Sequence, residues 1–152
     1  MARSKVQSAN LELAQETHPL DESIGYLLGR AYTEGHRNLH KELADLDLTP
    51  QQHVIIMKLN ELGEASQNLL GRSVGMKRVT VHGIISRLST GGLIEVRGDD
   101  ADRRLALLSL SPAGKALVGE LSRRAQVAAA RSLATLTAKE KAILRRILRK
   151  LF

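Results

Sequence analysis

Residues 69–117 read LLGRSVGMKRVTVHGIISRLSTGGLIEVRGDDADRRLALLSLSPAGKAL, and this stretch decides the fold class. A short helix is predicted to begin at Ser66 or Gln67 and to end at Gly75, because glycine readily adopts the left-handed conformation of a helix C-cap. A second helix is predicted over Lys77–Thr90. Two short helices joined by a tight turn that contains glycine are typical of a helix-turn-helix.

A β-hairpin is predicted directly after the second helix. That helix has one apolar face, formed at helical spacing by Val81, Ile84, Ile85 and Leu88. Gly91-Gly92 then interrupts the helix, and residues 93–97 and 105–110 are predicted to be strands on either side of the polar segment GDDADRR. Ser111-Pro112 places an N-cap before a first-turn proline, which predicts a further helix to about Ala134.

Further helices are predicted on both sides of this unit. The first is capped by Asp21 or Ser23 and ends near Asp45. Another begins at Thr49-Pro50-Gln51-Gln52, and the last begins at the capping box Thr137-Ala138-Lys139-Glu140. The first helix and the last two are more apolar than one small winged domain could cover, which predicts a homodimer. The predicted fold class is mainly α: a winged helix-turn-helix with a small β-hairpin wing and N- and C-terminal dimerisation helices.

The predicted organisation is an N-terminal arm over residues 1–20 and one domain over residues 21–152. Within the domain, the winged-helix DNA-binding unit spans about residues 49–110. The dimerisation helices span about residues 21–46 and 111–152.

Positive charge is concentrated in the second half of the chain. The 152 residues carry a net charge of +7. Residues 1–65 hold 6 Lys/Arg and 10 Asp/Glu, net −4, whereas residues 66–152 hold 17 Lys/Arg and 6 Asp/Glu, net +11. A division of this size favours contact between the second half and a polyanion, although a solvated basic surface would show the same composition.

Composition also excludes several classes of site. The chain has no cysteine, which rules out disulfides, thiolate zinc sites and thiol redox switches. His36 and His40 share a one-turn helical spacing but lack the acidic residue of a metalloprotease motif. Neither a Ser-His-Asp arrangement nor a phosphate-binding glycine loop is present, so an enzyme, a metal and a cofactor are not expected. Without a long apolar run, we expect a cytoplasmic protein that does not contact membranes.

The helix-turn-helix and the hairpin together form a two-part probe for DNA. The helix from Lys77 fits the major groove, where base edges can be distinguished. The residues predicted to be exposed on it are Lys77, Arg78, Thr80, His82, Ser86 and Arg87; Ser66 and Gln67 of the preceding helix complete the predicted contact set. On the hairpin tip, Arg103 and Arg104 could reach an adjacent minor groove. Asp102 would hold Arg104 in an extended pose, or form only a surface ion pair with it.

The same residues carry a family resemblance. Residues 69–117 resemble the MarR family (multiple antibiotic resistance regulators), and the similarity extends over roughly residues 21–151. The matching features are Leu70 and Gly75 of the turn, the pair Thr80-Val81, Arg87-Leu88 before Gly92-Leu93, the wing residues Asp102 and Arg104, and the Leu-Ser-Pro-x-Gly sequence over Leu110–Gly114.

The resemblance implies an obligate dimer with intertwined terminal helices, and a pseudo-palindromic double-stranded DNA operator. It also implies repression that a small, often aromatic or phenolic, ligand relieves. Two departures from the family pattern concern the helix from Lys77, which is called the reading helix below. Lys77 replaces the usual small polar residue at its start, and Gly83 stands where many members have a base-reading arginine. Base reading is therefore expected to shift to Arg78, Thr80 and His82.

The resemblance also points to a ligand site between the dimer helices and the winged unit. The hypothesis is an aromatic acid or its acyl thioester that relieves repression. The candidate polar residues are Tyr26, Arg30, His36, Arg37, His40 and His53. Each also has a purely structural interpretation: Arg30 or Arg37 could pair with Glu34, and His53 could be a semi-buried histidine with satisfied hydrogen bonds.

Two further binding functions share the basic composition. A non-specific architectural DNA-binding protein would show salt-dependent binding with little sequence preference. An interaction module could use the winged fold to bind protein. The cations of the helix from Lys77 and of the wing argue against this alternative.

Overall fold

A computed structural model describes residues 19–98 and 106–151 of the protein. Within these residues, six α-helices and three short strands follow one another. In chain order they are a 3-10 turn Leu20–Glu22, α1 Ile24–Leu43, a 3-10 turn Ala44–Leu46, α2 Pro50–Leu62, β1 Glu64–Ser66, α3 Gln67–Val74, α4 Arg78–Thr90, β2 Ile94–Gly98, β3 Ala106–Leu110, α5 Pro112–Ser132 and α6 Ala138–Leu148. None of the described helices is long and apolar enough to cross a membrane.

The chain divides into two compact units, Met1–Glu34 and Gly35–Phe152, with the boundary inside α1. The described part of the first unit contains the 3-10 turn Leu20–Glu22 and the first half of α1. The second unit contains all the other elements and the hydrophobic core.

Local capping signals set the starts of α2, α5 and α6, as predicted. Thr49 Oγ1 accepts a hydrogen bond from the Gln52 N–H at 3.2 Å, and Gln52 Oε1 accepts one from the Thr49 N–H at 2.7 Å. The same reciprocal box joins Thr137 and Glu140 at α6. Caps of this kind stabilise a helix by about 1 kcal/mol each, so these boundaries are fixed by adjacent residues.

The helix-turn-helix is formed by α3 and α4. Gly75 lies in the left-handed region with φ +66°, and the Met76 N–H donates to the Gly71 carbonyl at 3.1 Å, which closes the end of α3. The second helix begins at Arg78, one residue later than predicted. Lys77 is its N-cap and provides no side-chain hydrogen bond, because lysine has no acceptor to offer the free N–H groups.

The wing belongs to a three-stranded antiparallel sheet with the order β1-β3-β2. Its central strand β3 pairs with β2 from Ile94↔Leu110 to Gly98↔Ala106, and with β1 from Glu64↔Ser109 to Ser66↔Leu107. The sequence predicted only a two-stranded hairpin and missed β1. The predicted start of β2 at Leu93 was one residue early, because the Leu93 N–H instead donates to the Leu88 carbonyl at the end of α4.

One hydrophobic core lies beneath the helix-turn-helix. Ile55, Ile56 and Leu59 of α2 are fully buried, and each such side chain contributes roughly 1.5–3 kcal/mol when it leaves water. The remaining core residues come from the other elements of the second unit: Leu43, Leu48, Ala65, Leu70, Val81, Ile84, Ile85, Leu88, Ile94, Leu108, Leu110 and Leu121. This core fixes which face of α4 points outward.

The segment that follows β3 connects the end of the sheet to the residues after α4 and to the start of α5 through hydrogen bonds. The Ser111 N–H donates to the Leu93 carbonyl at 3.1 Å, and Ser111 Oγ donates to the Gly92 carbonyl at 2.6 Å. The same Oγ accepts from the Gly114 N–H at 3.0 Å. A Cβ at Gly114 would lie 2.2 Å from the Leu93 carbonyl oxygen, so the glycine of the Leu-Ser-Pro-x-Gly sequence permits this close contact.

Candidate nucleic-acid interface

The helix α4 presents a polar and basic face to solvent. The predicted residues Lys77, Arg78, Thr80, His82, Ser86 and Arg87 are all exposed. The opposite face of α4 is held in the core by Val81, Ile84, Ile85 and Leu88. Because a helix turns by 100° per residue, this burial fixes the outward direction of the polar residues.

Sequence reasoning missed one residue on the outward face, Val79. It is 85% exposed, the most exposed of the large hydrophobic side chains in the described residues. With the core on one side of α4, Val79, Gly83 and Ser86 lie near the centre of the opposite side. The sequence did hold a signal: Val79 is apolar but does not fit the helical spacing of the core-facing residues, so it was expected on the surface.

Gly83 leaves open space on this face. No heavy atom outside its neighbouring backbone lies within 4 Å of a Cβ built there. The missing side chain therefore makes room for a base or a backbone, and adjacent side chains must supply the polar contacts.

The start of α3 lies beside α4 and contributes Ser66 and Gln67. Ser66 Oγ accepts from the Leu69 N–H at 3.3 Å and is thus engaged as the N-cap. Gln67 is half-buried; its Nε2 lies 3.4 Å from the Arg78 carbonyl oxygen, and its Oε1 lies 3.4 Å from His82 Nδ1. The structure therefore brings Gln67, Arg78 and His82 together. As contacts to DNA, all the residues named remain predictions.

The wing residues Asp102, Arg103 and Arg104 lie outside the described residues. The described part of the hairpin ends at Gly98 and resumes at Ala106. At its base, Arg97 Nη2 donates to Glu64 Oε1 at 2.9 Å, and both side chains are largely exposed. This pair links β1 and β2 across the central strand.

The six residues predicted for a ligand site are distributed between the two units. Tyr26 and Arg30 lie in the first unit, where the Arg30 guanidinium is 5.9 Å from the centre of the Tyr26 ring, within the range of a cation–π contact. His36 is half-buried in the second unit, and Arg37 and His40 are exposed.

His53 differs from the semi-buried, hydrogen-bonded histidine considered above. It is only 8% exposed, and neither ring nitrogen has a hydrogen-bond partner within the described residues. Burial lowers the pKa of His53. The nearby backbone of Leu121 opposes this shift, although its contact with the ring does not have the geometry of a hydrogen bond. The side chain is therefore held as the neutral imidazole in the core.

A cavity of about 570 Å³ opens behind α4. Its apolar lining comes from Leu46, Leu48, Leu88, Gly91, Leu93 and Leu117, and its polar lining from Asp47, Thr49, Gln52 and Arg87. None of the six predicted ligand residues lines this cavity. From sequence, Thr49 and Gln52 were assigned to a helix start and Arg87 to DNA contact. Only the packing of α2, α4 and α5 brings them to one cavity, so sequence reasoning did not find it.

Comparison with known proteins adds independent evidence. The MarR family pattern matches residues 46–105. The HTH-type transcriptional repressor NicR of Pseudomonas putida is 27% identical over 147 residues, which cover 97% of this chain and 93% of NicR. A crystal structure of a probable transcriptional regulator from Pseudomonas aeruginosa is 35% identical with a TM-score of 0.83, and the match covers 88% of this chain and 100% of that one.

A second solved structure has a described regulatory ligand. BpsR of Bordetella bronchiseptica, whose DNA binding is regulated by 6-hydroxynicotinic acid, is 31% identical with a TM-score of 0.83. The match covers 90% of this chain and 97% of that one. Together with the exposed reading helix and the antiparallel wing strands, these similarities establish that the chain belongs to the MarR family of winged helix-turn-helix transcriptional regulators.

Proposed function

We propose that the protein is a homodimeric repressor that binds a pseudo-palindromic DNA operator through α4 and is released from it by a small aromatic acid or its acyl thioester. The observation that carries this proposal is that α4 has one buried face and one exposed polar face. Four of its residues are buried in the core, and every polar residue of α4 that is predicted to contact DNA is exposed. A helix with this arrangement can enter the major groove without disturbing the fold.

The charge distribution supports DNA as the partner. Residues 66–152 carry a net charge of +11, against −4 for residues 1–65. Lys77 and Arg78 stand at the N-terminus of α4, and Arg72 lies in the last turn of α3. Cations at these positions, together with the free N–H groups at the start of α4, favour phosphate contacts.

The exposed apolar residues support a homodimer. In the first unit, Leu20 is 63% exposed and Ile24 is 74% exposed. In the second unit, Ile147 is 51% exposed on α6, and a groove of about 600 Å³ lies between α5 and α6. The groove is lined mainly by apolar residues, with Lys141, Arg145 and Arg149 among its polar residues. Surfaces of this kind are usually covered by another protein surface, and a second copy is the partner proposed here.

The dimer can be tested apart from DNA binding. Ile147→Asp should shift the mass measured by light scattering from dimer to monomer. Val96→Asp is the matched control, because Val96 is 52% exposed on β2 of the winged unit and should not affect assembly. A monomeric wild-type protein at micromolar concentration would contradict the dimer.

The cavity behind α4 supports a small-molecule effector. Its volume of about 570 Å³ falls within the range of ligand sites, and Arg87 supplies a cation for a carboxylate. Arg87 and Leu88 belong to α4, so a ligand there would contact the reading helix through one exposed and one buried residue. A ligand that binds one position of α4 better than another would change DNA affinity by that difference. The regulation of BpsR by 6-hydroxynicotinic acid makes heteroaromatic acids the first compounds to test.

The DNA proposal is tested by selection from a random library at physiological salt. An inverted repeat with half-sites about ten base pairs apart is expected for a dimer with two-fold symmetry. Binding to all sequences, with strong salt dependence and no consensus, would instead indicate an architectural protein.

The effector proposal is tested with the operator found in this way. Nicotinic, hydroxynicotinic and benzoic acids, and aryl thioesters of coenzyme A, are titrated into the protein–operator complex. At least one should release the DNA and raise the melting temperature of the free protein. Leu117→Trp should fill the cavity and abolish release while leaving operator affinity unchanged. Release that persists in this variant would place the effector elsewhere.

A further inference from the structure

Gln67 forms a bridge between the two helices of the helix-turn-helix. It is the first residue of α3, and its side-chain amide reaches α4 with both of its polar atoms. Nε2 lies 3.4 Å from the Arg78 carbonyl oxygen, and Oε1 lies 3.4 Å from Nδ1 of His82, one helical turn further along α4. Both contacts are at the long end of the hydrogen-bond range.

The chemistry of the two contacts fixes the orientation of the amide. A backbone carbonyl can only accept a hydrogen bond, so the amide group facing Arg78 must be the NH₂. The amide oxygen must then face His82. Because that oxygen also only accepts, Nδ1 of His82 must carry the proton. The bridge therefore selects the Nδ1–H tautomer of the neutral imidazole.

This tautomer determines what the other ring nitrogen can bind. Nε2 of His82 has no hydrogen-bond partner within the described residues, and the side chain is exposed on the outward side of α4. In the neutral ring with Nδ1 protonated, Nε2 is an acceptor and cannot donate.

We infer that Gln67 is a positioning residue that makes His82 an acceptor for an exocyclic amino group, cytosine N4 or adenine N6, in the major groove. The inference rests on the proposed function, because it requires α4 to enter that groove. In the major groove, the acceptor-only groups are guanine O6 and N7, adenine N7 and thymine O4, and an acceptor on the protein cannot pair with them. The base that faces His82 should therefore present an amino group rather than these acceptors.

The tautomer is measured first, in the free full-length protein at about pH 8, above the range in which imidazoles usually titrate. Nitrogen-15 chemical shifts of the His82 ring, assigned with a His82→Asn sample, distinguish protonated from unprotonated ring nitrogens. Wild-type His82 should be protonated at Nδ1. Gln67→Ala should restore the Nε2–H tautomer that free imidazoles favour. A wild-type ring protonated mainly at Nε2 would overturn the inference.

Two further variants separate positioning from a general structural effect. In Gln67→Glu, the carboxylate loses the contact with the Arg78 carbonyl but can still accept from Nδ1–H, so Nδ1 should stay protonated. Asn68→Ala removes the adjacent polar side chain, which forms no hydrogen bond to His82, and it should leave the ring unchanged. If the tautomer changed in Asn68→Ala as much as in Gln67→Ala, the bridge would not be its cause.

The second arm measures base preference with the operator library at about pH 8. Gln67→Ala should reduce the preference for cytosine or adenine at one position of each half-site by roughly fivefold, the lower end of the range for a bidentate base contact. His82→Ala should lose preference at the same position. A guanine or thymine preference in the wild type would overturn the inference but would leave the proposed operator binding intact. A library without a consensus would overturn the proposed function, and base reading by His82 with it, whatever tautomer is found.

Discussion

Arg124 on α5 forms a two-armed ion pair with Asp45 in the 3-10 turn that follows α1. Nη2 of Arg124 lies 2.8 Å from Asp45 Oδ2, and Nη1 contacts the other carboxylate oxygen. The Nε–H of the same guanidinium donates to Glu120 Oε1 at 2.6 Å. The Arg124 side chain is only 16% exposed, so one cation holds the end of α1 against α5 from a largely covered position.

We expect Arg124→Met to lower the melting temperature of the protein more than Arg124→Lys does. A lysine keeps the charge but cannot present a planar fork to two carboxylates at once. Arg123→Met is the control, because Arg123 is 62% exposed and its ion pair is with Glu120 on the same helix. Surface pairs of that kind contribute little. Equal melting temperatures for the Arg124 and Arg123 variants would show that the link to Asp45 is not stabilising.

The same cluster predicts a loss of stability in acid. The guanidinium of Arg123, and then that of Arg124, lower the pKa of Glu120 from its ordinary value of 4.5 to about 2, and Arg124 also lowers the pKa of Asp45. A carboxylate with a lowered pKa stabilises the folded state above its unfolded pKa, and this contribution is lost as pH falls towards the folded value. Because Arg123 remains in Arg124→Met, the advantage of wild type over this variant comes from Asp45 and from part of the Glu120 shift. It should diminish as pH falls below about 4.5.

Gly114→Ala should destabilise the protein by about 3 kcal/mol or more, because the new Cβ meets backbone that cannot easily move. The Leu93 carbonyl oxygen would lie 2.2 Å away and is held by the Ser111 N–H. Urea unfolding measures the change. Gly119→Ala in the same helix is the control: nothing lies within 4 Å of its Cβ, and replacing a helical glycine should add about 0.5–1 kcal/mol. Two variants of equal stability would contradict this account of the motif.

His53→Met should stabilise the protein by about 1 kcal/mol at neutral pH, because it removes two buried nitrogens that have no hydrogen-bond partner in the described part of the chain. It should also alter the pH dependence. Burial lowers the pKa of His53 below 6.5, so the unfolded chain binds a proton more readily than the folded one, and stability falls as pH drops below about 6.5. Chemical unfolding of wild type and variant between pH 5 and 8 measures both effects.

The comparison for this prediction is His40→Met, since His40 is exposed. That variant should keep the wild-type loss of stability below about pH 6.5. If His53→Met lost stability in acid as steeply as wild type, another group would be responsible.

Features set by neighbouring residues were predicted from sequence, and features set by distant contacts were not. The starts of two helices could be predicted from Ser111-Pro112 and Thr49-Pro50, because each cap is completed within three residues. The strand β1 has only three residues and depends on pairing with Ser109 and its neighbours, which are more than forty positions away. No local pattern could indicate it.

The candidate site shows the same division. The polar residues of α4 followed from its apolar periodicity, because burial of one face determines exposure of the other. The bridge from Gln67 to His82 and the cavity behind α4 are each formed by residues from different elements. The core sets the relative positions of those elements, so the sequence alone could not indicate either feature. The isolation of His53 likewise depends on what surrounds α2, since the residue type alone is equally compatible with a hydrogen-bonded histidine.

Val79 should read a thymine methyl group in the operator. It is 85% exposed on the outward side of α4, and the thymine 5-methyl is the apolar group that the major groove presents. Replacing each operator thymine in turn with deoxyuridine should weaken binding by about fourfold at one position per half-site, the equivalent of one buried methylene. Val79→Ser should lose this discrimination, whereas Val96→Ser should keep it, because Val96 lies on β2 rather than on the reading helix. Equal affinity of wild type for thymine and deoxyuridine at every position would show that Val79 does not contact a base, and base reading would then rest on the polar residues beside it.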